Sequence, residues 1–258
     1  MSLYTISFLG KHCTFRISHL MDMPLRCAIV IPAYNHGTRV REAVEKCLRL
    51  RLPVIVVDDG STDSTPDVLA SLSGVIVIHH EKNQGKGASL LTGFAAALQF
   101  ADWGITIDAD GQHDPEDILS LIRAVPEEQR PLVIGKRVGM GNGNVPWTSR
   151  WGRRFANFWV WISCGRWLSD AQSGFRVYPL PETLRLGTRA RRYQFEVEVL
   201  VLAVWRGIPI IEVPVHAIYG PREERVSHFR PWLDFWRNTR TFARLVATRI
   251  VIPPRLRK

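Results

Sequence analysis

The sequence predicts an α/β protein: a mostly parallel, doubly wound sheet flanked by helices. Three observations carry that prediction. From Arg26 to about Lys136, short β-branched runs alternate with helix-like stretches. The runs are apolar throughout, as strands covered on both faces must be. Polar and acidic residues collect just past the runs, where sheets of this kind bind ligands.

Residues 1–23 match no regular pattern and are expected as a flexible N-terminal extension. The expected strands that follow are Cys27–Ile31, Val54–Asp58, Val75–His79, Ile105–Asp108 and Leu132–Gly135. The helices between them are expected near Thr38–Leu50, Ser64–Ser71, Gly87–Phe100 and Pro115–Ala124. Ser64-Thr65-Pro66-Asp67 reads as a helix start with proline in the first turn, and Asp114 before Pro115 reads likewise. In the second half, Ser149–Trp161 sets Trp151, Phe155, Phe158 and Trp159 at helical spacing, with Arg150, Arg153 and Arg154 among them. Phe175–Tyr178 and Ile210–Ala217 read as strands, and Gln194–Arg206 as an apolar helix carrying Glu196 and Glu198. Trp232–Arg249 closes the chain as a helix with Phe235, Trp236, Phe242 and Leu245 on one face. No linker separates the halves, so residues 24–258 are expected as one domain with a basic, aromatic-rich helical C-terminal elaboration.

Composition excludes several classes. In 258 residues, 46% are hydrophobic and 22% charged, which rules out a disordered or fibrous protein. The net charge of +10 is uneven: residues 1–144 carry 14 basic and 16 acidic side chains, residues 145–258 carry 20 and 8. Such a split calls for a partner such as ligand phosphates, an anionic membrane surface or nucleic acid. Cys13, Cys27, Cys47 and Cys164 show no metal-like spacing. No apolar run reaches the roughly 20 residues of a membrane span, and the N-terminus lacks a signal-peptide pattern.

The chemistry-bearing residues lie at strand ends. Asp108-Ala109-Asp110 puts two carboxylates where they would hold one hard cation, Mg²⁺ or Mn²⁺, with Gln112 adding a neutral oxygen. The same pattern also suits a solvated acidic turn. Asp58-Asp59-Gly60-Ser61 offers carboxylates to a nucleobase N–H or a ribose hydroxyl, and equally reads as a turn before a capped helix. Asn83-Gln84-Gly85-Lys86-Gly87 leads into a helix, so its N–H groups and Lys86 are candidates to face phosphate. It is neither a P-loop nor the glycine fingerprint of a dinucleotide fold. His79 and His80 have no acidic or Cys partner at ligand spacing and are expected to be structural.

Taken in order, these segments resemble family 2 glycosyltransferases, which have a GT-A fold. The nearest branch acts on polyprenyl phosphates and is typified by dolichyl-phosphate mannose synthase. The resemblance runs from about Cys27 to about Arg230. It rests on Ile31-Pro32-Ala33-Tyr34-Asn35, Asp58-Asp59-Gly60-Ser61, Asn83-Gln84-Gly85-Lys86-Gly87, Asp108-Ala109-Asp110-Gly111-Gln112-His113, Gly135-Lys136-Arg137 and Asp170-Ala171-Gln172-Ser173-Gly174-Phe175-Arg176. It implies that Pro32, Tyr34 and Asp59 hold the donor nucleoside, with Asn35, Asp58, Lys86 and Asp108 completing the nucleotide site. Asp108, Asp110 and Gln112 would bind the metal on the diphosphate. Asp170 falls near the acceptor as the catalytic candidate. Arg137, Arg176, Arg222 and Ser227 would meet phosphate or acceptor. Residues 24–144 then form the nucleotide and metal half, and 145–258 the acceptor half.

The resemblance thus implies an inverting, metal-dependent transfer of a sugar from a UDP- or GDP-sugar to a lipid phosphate or other acceptor. The place implied is cytoplasmic, peripheral on the inner membrane face, with no nucleic acid partner. A phosphate acceptor is already an anion and needs no strong base, whereas a hydroxyl acceptor would need Asp170 as general base. Three departures bear on specificity. His36 stands where relatives often carry Glu, and Arg225 and His228 replace a glycine and a lysine in the later Arg222–His228 segment. Rival readings are a sugar-nucleotidyltransferase, a basic surface- or nucleic-acid-binding protein, and a non-catalytic relative.

Overall fold

The computed structural model describes residues 3–8, 11–16, 25–138, 147–216, 231–253 and 257. Two strands, β1 (Leu3–Phe8) and β2 (Lys11–Arg16), form an antiparallel hairpin of their own, with Leu3 opposite Arg16 and Phe8 opposite Lys11. This corrects the expectation of an extension without regular structure. Tyr4 pairs with Phe15 and Thr5 with Thr14, β-branched and aromatic residues of the kind that favour strands.

The main sheet has seven strands in the order β5-β4-β3-β6-β8-β7-β9. They are β3 (Cys27–Ala33), β4 (Val54–Asp58), β5 (Ile76–His79), β6 (Trp103–Thr106), β7 (Leu132–Val138), β8 (Arg176–Pro179) and β9 (Ile210–His216). All neighbouring pairs are parallel except those of β8, which runs antiparallel to both β6 and β7. Side chains alternate between faces along each strand. Ala28, Val30, Ile55 and Val57 pack into one core layer, and Ile29, Ile31, Val54 and Val56 into the other. Both faces are covered, which is why the strand sequences show no polar alternation.

One layer is built on α1 (Arg39–Leu48), α2 (Thr65–Ala70) and α4 (Asp117–Arg123), through Val40, Val44, Leu69, Ile118 and Leu121. The capping oxygen for α2 comes from Asp63, whose Oδ1 accepts the Thr65 N–H at 2.9 Å, and not from Ser64. The other layer holds α3 (Lys86–Ala97), α5 (Trp147–Cys164), α7 (Phe195–Trp205) and α8 (Pro231–Val251). A short α6 (Leu180–Leu184), opened by Pro179 and Pro181, was not expected from the sequence. In α5 and α8 the aromatics divide. Phe155, Trp159 and Phe242 interlock at centroid distances of 6.1–6.4 Å over the core, while Trp151, Phe158, Trp161, Phe235 and Trp236 remain exposed.

Candidate active site

Strand order turns at β3, which has β4 on one side and β6 on the other, so a crevice opens beyond their carboxyl ends. The segments after β3, β4, β5 and β6 all meet there. Pro32 lies within β3, opposite Val57, and Tyr34 follows the strand, half-buried. Asn35 adopts φ +51°, a left-handed conformation that Asn tolerates better than most residues. That turn lets its N–H reach Ser61 Oγ at 2.9 Å and its Oδ1 accept the Thr62 N–H at 2.8 Å.

Asp58 and Asp59 are buried, and each takes hydrogen bonds within the chain. Asp58 accepts the Ser61 N–H and lies 2.9 Å from His79 Nδ1, its direct neighbour across β4 and β5. Asp59 accepts the N–H groups of Gln84 and Gly85 at 2.9 and 2.7 Å and contacts His80 Nδ1 at 2.8 Å. Two expectations change as a result. The Gln84 and Gly85 N–H groups are spent on Asp59 and do not face phosphate. His79 and His80 are structural as expected, but their partners are acidic and come from the adjacent strand. Gly60 is required where these loops touch: at φ +71°, a Cβ would lie 2.6 Å from the Lys82 carbonyl carbon.

Lys86 opens α3 and reaches across the crevice. Its Nζ lies 2.7 and 2.9 Å from the two oxygens of Asp108 and 2.5 Å from Glu196 Oε1. Burial disfavours its charge, but Asp108 and Glu196 outweigh that and hold the ammonium well above the usual lysine range. Burial likewise opposes ionisation of Asp108, and Lys86 reverses the sign, keeping that carboxyl below its ordinary value. Among the described residues Asp110 has no such cation in contact. Burial, then the neighbouring Asp108 charge, pushes its carboxyl up to about 6, although the Gln112 N–H donates to it at 3.0 Å. Next to them His113 stacks on Phe175, with centroids 4.9 Å apart, and burial pulls its imidazole down to about 4.

These residues fit a divalent cation. The set is all oxygen, and a buried carboxyl at about 6 is an anion in want of a positive neighbour. Among the described residues no group of three or more His, Cys, Asp or Glu side chains forms a cage. Asp108, Asp110 and Gln112 would therefore leave coordination positions for diphosphate oxygens and water, which is how Mg²⁺ is commonly held. The sequence reading missed Glu196, the acid on Lys86. Its signal was a charge in the first turn of an otherwise apolar helix.

Asp170 is fully buried and grips Arg137 with both oxygens, at 2.8 Å each, to Nε and Nη2. Glu212 Oε1 accepts the Ser169 and Asp170 N–H groups and fixes that turn. Arg137 in turn is close enough to lower the pKa of Asp110. Arg176 is placed differently from expectation. It is fully buried and donates to the carbonyls of Ser173, Ala171 and Glu196 at 2.6–2.8 Å. It is therefore not an acceptor contact. It pins the Asp170–Gly174 loop from behind. Arg222 and Ser227 lie outside the described residues.

Comparison with known proteins agrees with this geometry. Residues 28–181 match the profile of Glycosyl transferase family 2. The chain is 32% identical over 213 residues to the UDP-N-acetylglucosamine–dolichyl-phosphate N-acetylglucosaminyltransferase of Methanococcus voltae, covering 74% of this chain and 85% of that one. It is 32% identical over 209 residues to the undecaprenyl-phosphate mannosyltransferase of Micrococcus luteus, covering 74% and 83%. With the polyprenol monophosphomannose synthase of Mycolicibacterium smegmatis it shares 29% over 222 residues, covering 78% and 80%. The crystal structure of GalNAc-T7 with UDP, GalNAc and Mn²⁺ shares the fold, with a TM-score of 0.52 and 13% identity over 87% of this chain and 48% of that one. The crevice at the turn of the strand order, its carboxylate pair and the matched segments have one source: the chain is a GT-A enzyme belonging to glycosyl transferase family 2.

Proposed function

We propose that the enzyme transfers a sugar from a UDP- or GDP-sugar to a polyprenyl phosphate, with Mg²⁺ or Mn²⁺ on the donor diphosphate and inversion at the anomeric carbon. One observation carries the reading: the carboxylate pair Asp108 and Asp110 and an anchored guanidinium, Arg137, converge on one crevice. The names of the three relatives given above, each a lipid-phosphate glycosyltransferase, support the acceptor class.

In this reading Pro32, Tyr34 and Asn35 form the floor under the nucleoside, and the turn built by Asp58 and Asp59 forms its wall. The metal supplies charge neutralisation as the nucleoside diphosphate leaves. Asp108, Asp110 and Gln112 would hold it, with Lys86 beside the diphosphate. Arg137, fixed bidentately by Asp170, presents its guanidinium charge to the acceptor phosphate. A phosphate oxygen attacks the anomeric carbon opposite the leaving group; one C–O bond forms as the other breaks. The nucleophile is already ionised, so Asp170 serves by orienting Arg137. Asp170→Asn is expected to raise the acceptor KM at least about tenfold with kcat changed only a few-fold. A loss confined to kcat would assign Asp170 the general-base role instead.

The membrane surface is the place where such an acceptor is met. Exposed Trp151, Phe158, Trp161 and Trp236 on α5 and α8, with Arg154 and Arg240 also exposed, suit an interfacial face. Among the described residues no helix is long and apolar enough to cross a bilayer. Donor identity is tested by thermal shift with UDP-, GDP- and dTDP-sugars, with and without Mn²⁺. A metal-dependent shift with one nucleotide fixes the base, and no shift with any would overturn the transferase reading.

A further inference from the structure

We propose that Lys86 is a built-in cation that competes with the metal for Asp108, and that Glu196 is the positioning residue that makes this exchange possible. The inference rests on the metal-dependent reading above and adds what controls the metal.

The ammonium of Lys86 has three N–H donors and meets three carboxylate oxygens, two of Asp108 and one of Glu196, all within 2.9 Å. It therefore lies against one of the two carboxylates that the cation needs. Two carboxylates, Asp108 and Glu196, share this one ammonium, so a cation that needs Asp108 meets a positive group already seated on it. The cluster is nearly closed: the side chains of Lys86 and Glu196 are only 14% and 9% exposed. Its back wall is main chain. A Cβ on Gly174 would lie 2.6 Å from Lys86 Nζ, 2.8 Å from Glu196 Oε1 and 3.0 Å from Asp108 Oδ2. That wall is held by Thr106 Oγ1, which donates to the Gly174 carbonyl at 2.6 Å, and by the carbonyl cage of Arg176. The Gly174 main chain thus closes one side of the ammonium.

A cation arriving on Asp108 displaces Lys86 from that carboxylate but not from Glu196, which is on a different helix. Glu196 keeps the ammonium close, and the N–H donors that Lys86 has freed turn to the diphosphate that the metal brings. Metal and donor binding are coupled through one side chain. A lone metal meets a competitor; a metal with a nucleoside diphosphate meets a ligand for that competitor.

The test is calorimetric, on the full chain, with Mn²⁺ alone and with Mn²⁺ plus UDP or GDP. Lys86→Met is expected to tighten binding of Mn²⁺ alone about tenfold and to weaken Mn²⁺-dependent nucleoside diphosphate binding by at least as much. A purely structural lysine would move both in the same direction. Glu196→Gln, which keeps the shape of the side chain, is expected to weaken Mn²⁺ alone about tenfold, since Lys86 then relies on Asp108 only. If Lys86→Met does not fold, Glu196→Gln decides, and unchanged Mn²⁺ affinity there overturns the proposal. Wild-type binding of Mn²⁺ with no shift in either variant overturns this inference alone. No Mn²⁺ binding by the wild type removes both it and the metal-dependent reading.

Discussion

At the scale of single residues, the site is a set of charges that settle one another. Asp110 is the exception, and on the metal-dependent reading it makes cation binding depend on pH. Its carboxyl titrates at about 6, so protons compete with the cation below that value. Mn²⁺ affinity, measured by calorimetry, is expected to fall about tenfold per unit as pH drops below 6 and to level off above 7. Asp110→Asn should remove that slope along with most of the affinity. His113 has a consequence of opposite origin. Its folded imidazole stays neutral to about 4, whereas in the unfolded chain it gains a proton near 6.5. The unfolded state then binds more protons, so stability falls as pH drops through the window from about 6.5 to 4. Denaturant unfolding at pH 7 and pH 5 should show that loss in the wild type and a smaller one in His113→Phe, which keeps the stack on Phe175. Arg176 makes a third prediction. Replacing it with Met strands the carbonyls of Ser173, Ala171 and Glu196, and is expected to cost about 3 kcal/mol or more in a urea melt.

At the scale of elements, the parallel core was legible and the buried polar network was not. Each of the five apolar runs of the first half became a strand, because residues such as Val30 and Ile31, on opposite faces, are both fully covered. Strand ends shifted by about two residues at β6, where Thr106 is the last paired residue and Asp108 already belongs to the turn. The hidden part comprises contacts between residues far apart in sequence. His79 and Asp58 are 21 positions apart and directly opposite in space, and Lys86 and Glu196 are 110 apart. No local spacing encodes such pairs. Arg176 was misread for the same reason: an arginine beside a motif looks like a ligand for anions until its carbonyl partners are seen. The split of aromatics on α5 and α8 was only half legible, since helical periodicity gives two faces but not which of them the core takes. Trp236→Ser combined with Trp151→Ser leaves the packed Phe155, Trp159 and Phe242 untouched. It should reduce co-sedimentation with anionic vesicles severalfold at unchanged melting temperature. Equal binding by wild type and variant would remove the membrane role of that face.

At the scale of the whole molecule, the uneven charge found in the sequence has a structural location. The acidic strand ends of the first half line the crevice, and their charges are met by Lys86 and, on the present reading, by a metal. The basic excess of the second half includes Arg154 and Arg240, exposed on the helices that carry the outward aromatics. If that excess acts on a membrane, vesicle binding is expected to weaken steeply between about 50 and 300 mM salt, as screened attraction does. Binding that is insensitive to salt would assign the interaction to the aromatics alone.

The antiparallel course of β8 has one more consequence. The parallel strands end at the crevice, whereas β8 begins there. The chain therefore departs from that edge after Val138 and comes back to the same edge at Arg176. Everything between those points, α5 included, is an excursion whose two stems are already side by side in the sheet. Lengthening or replacing such an excursion adds little closure entropy and leaves the hydrogen-bond ladders of β3 to β6 unaltered. On the proposed reading, a change in this excursion that spares α5 and the Asp170–Gly174 loop alters which recipient is met without rebuilding the place where the activated sugar is held.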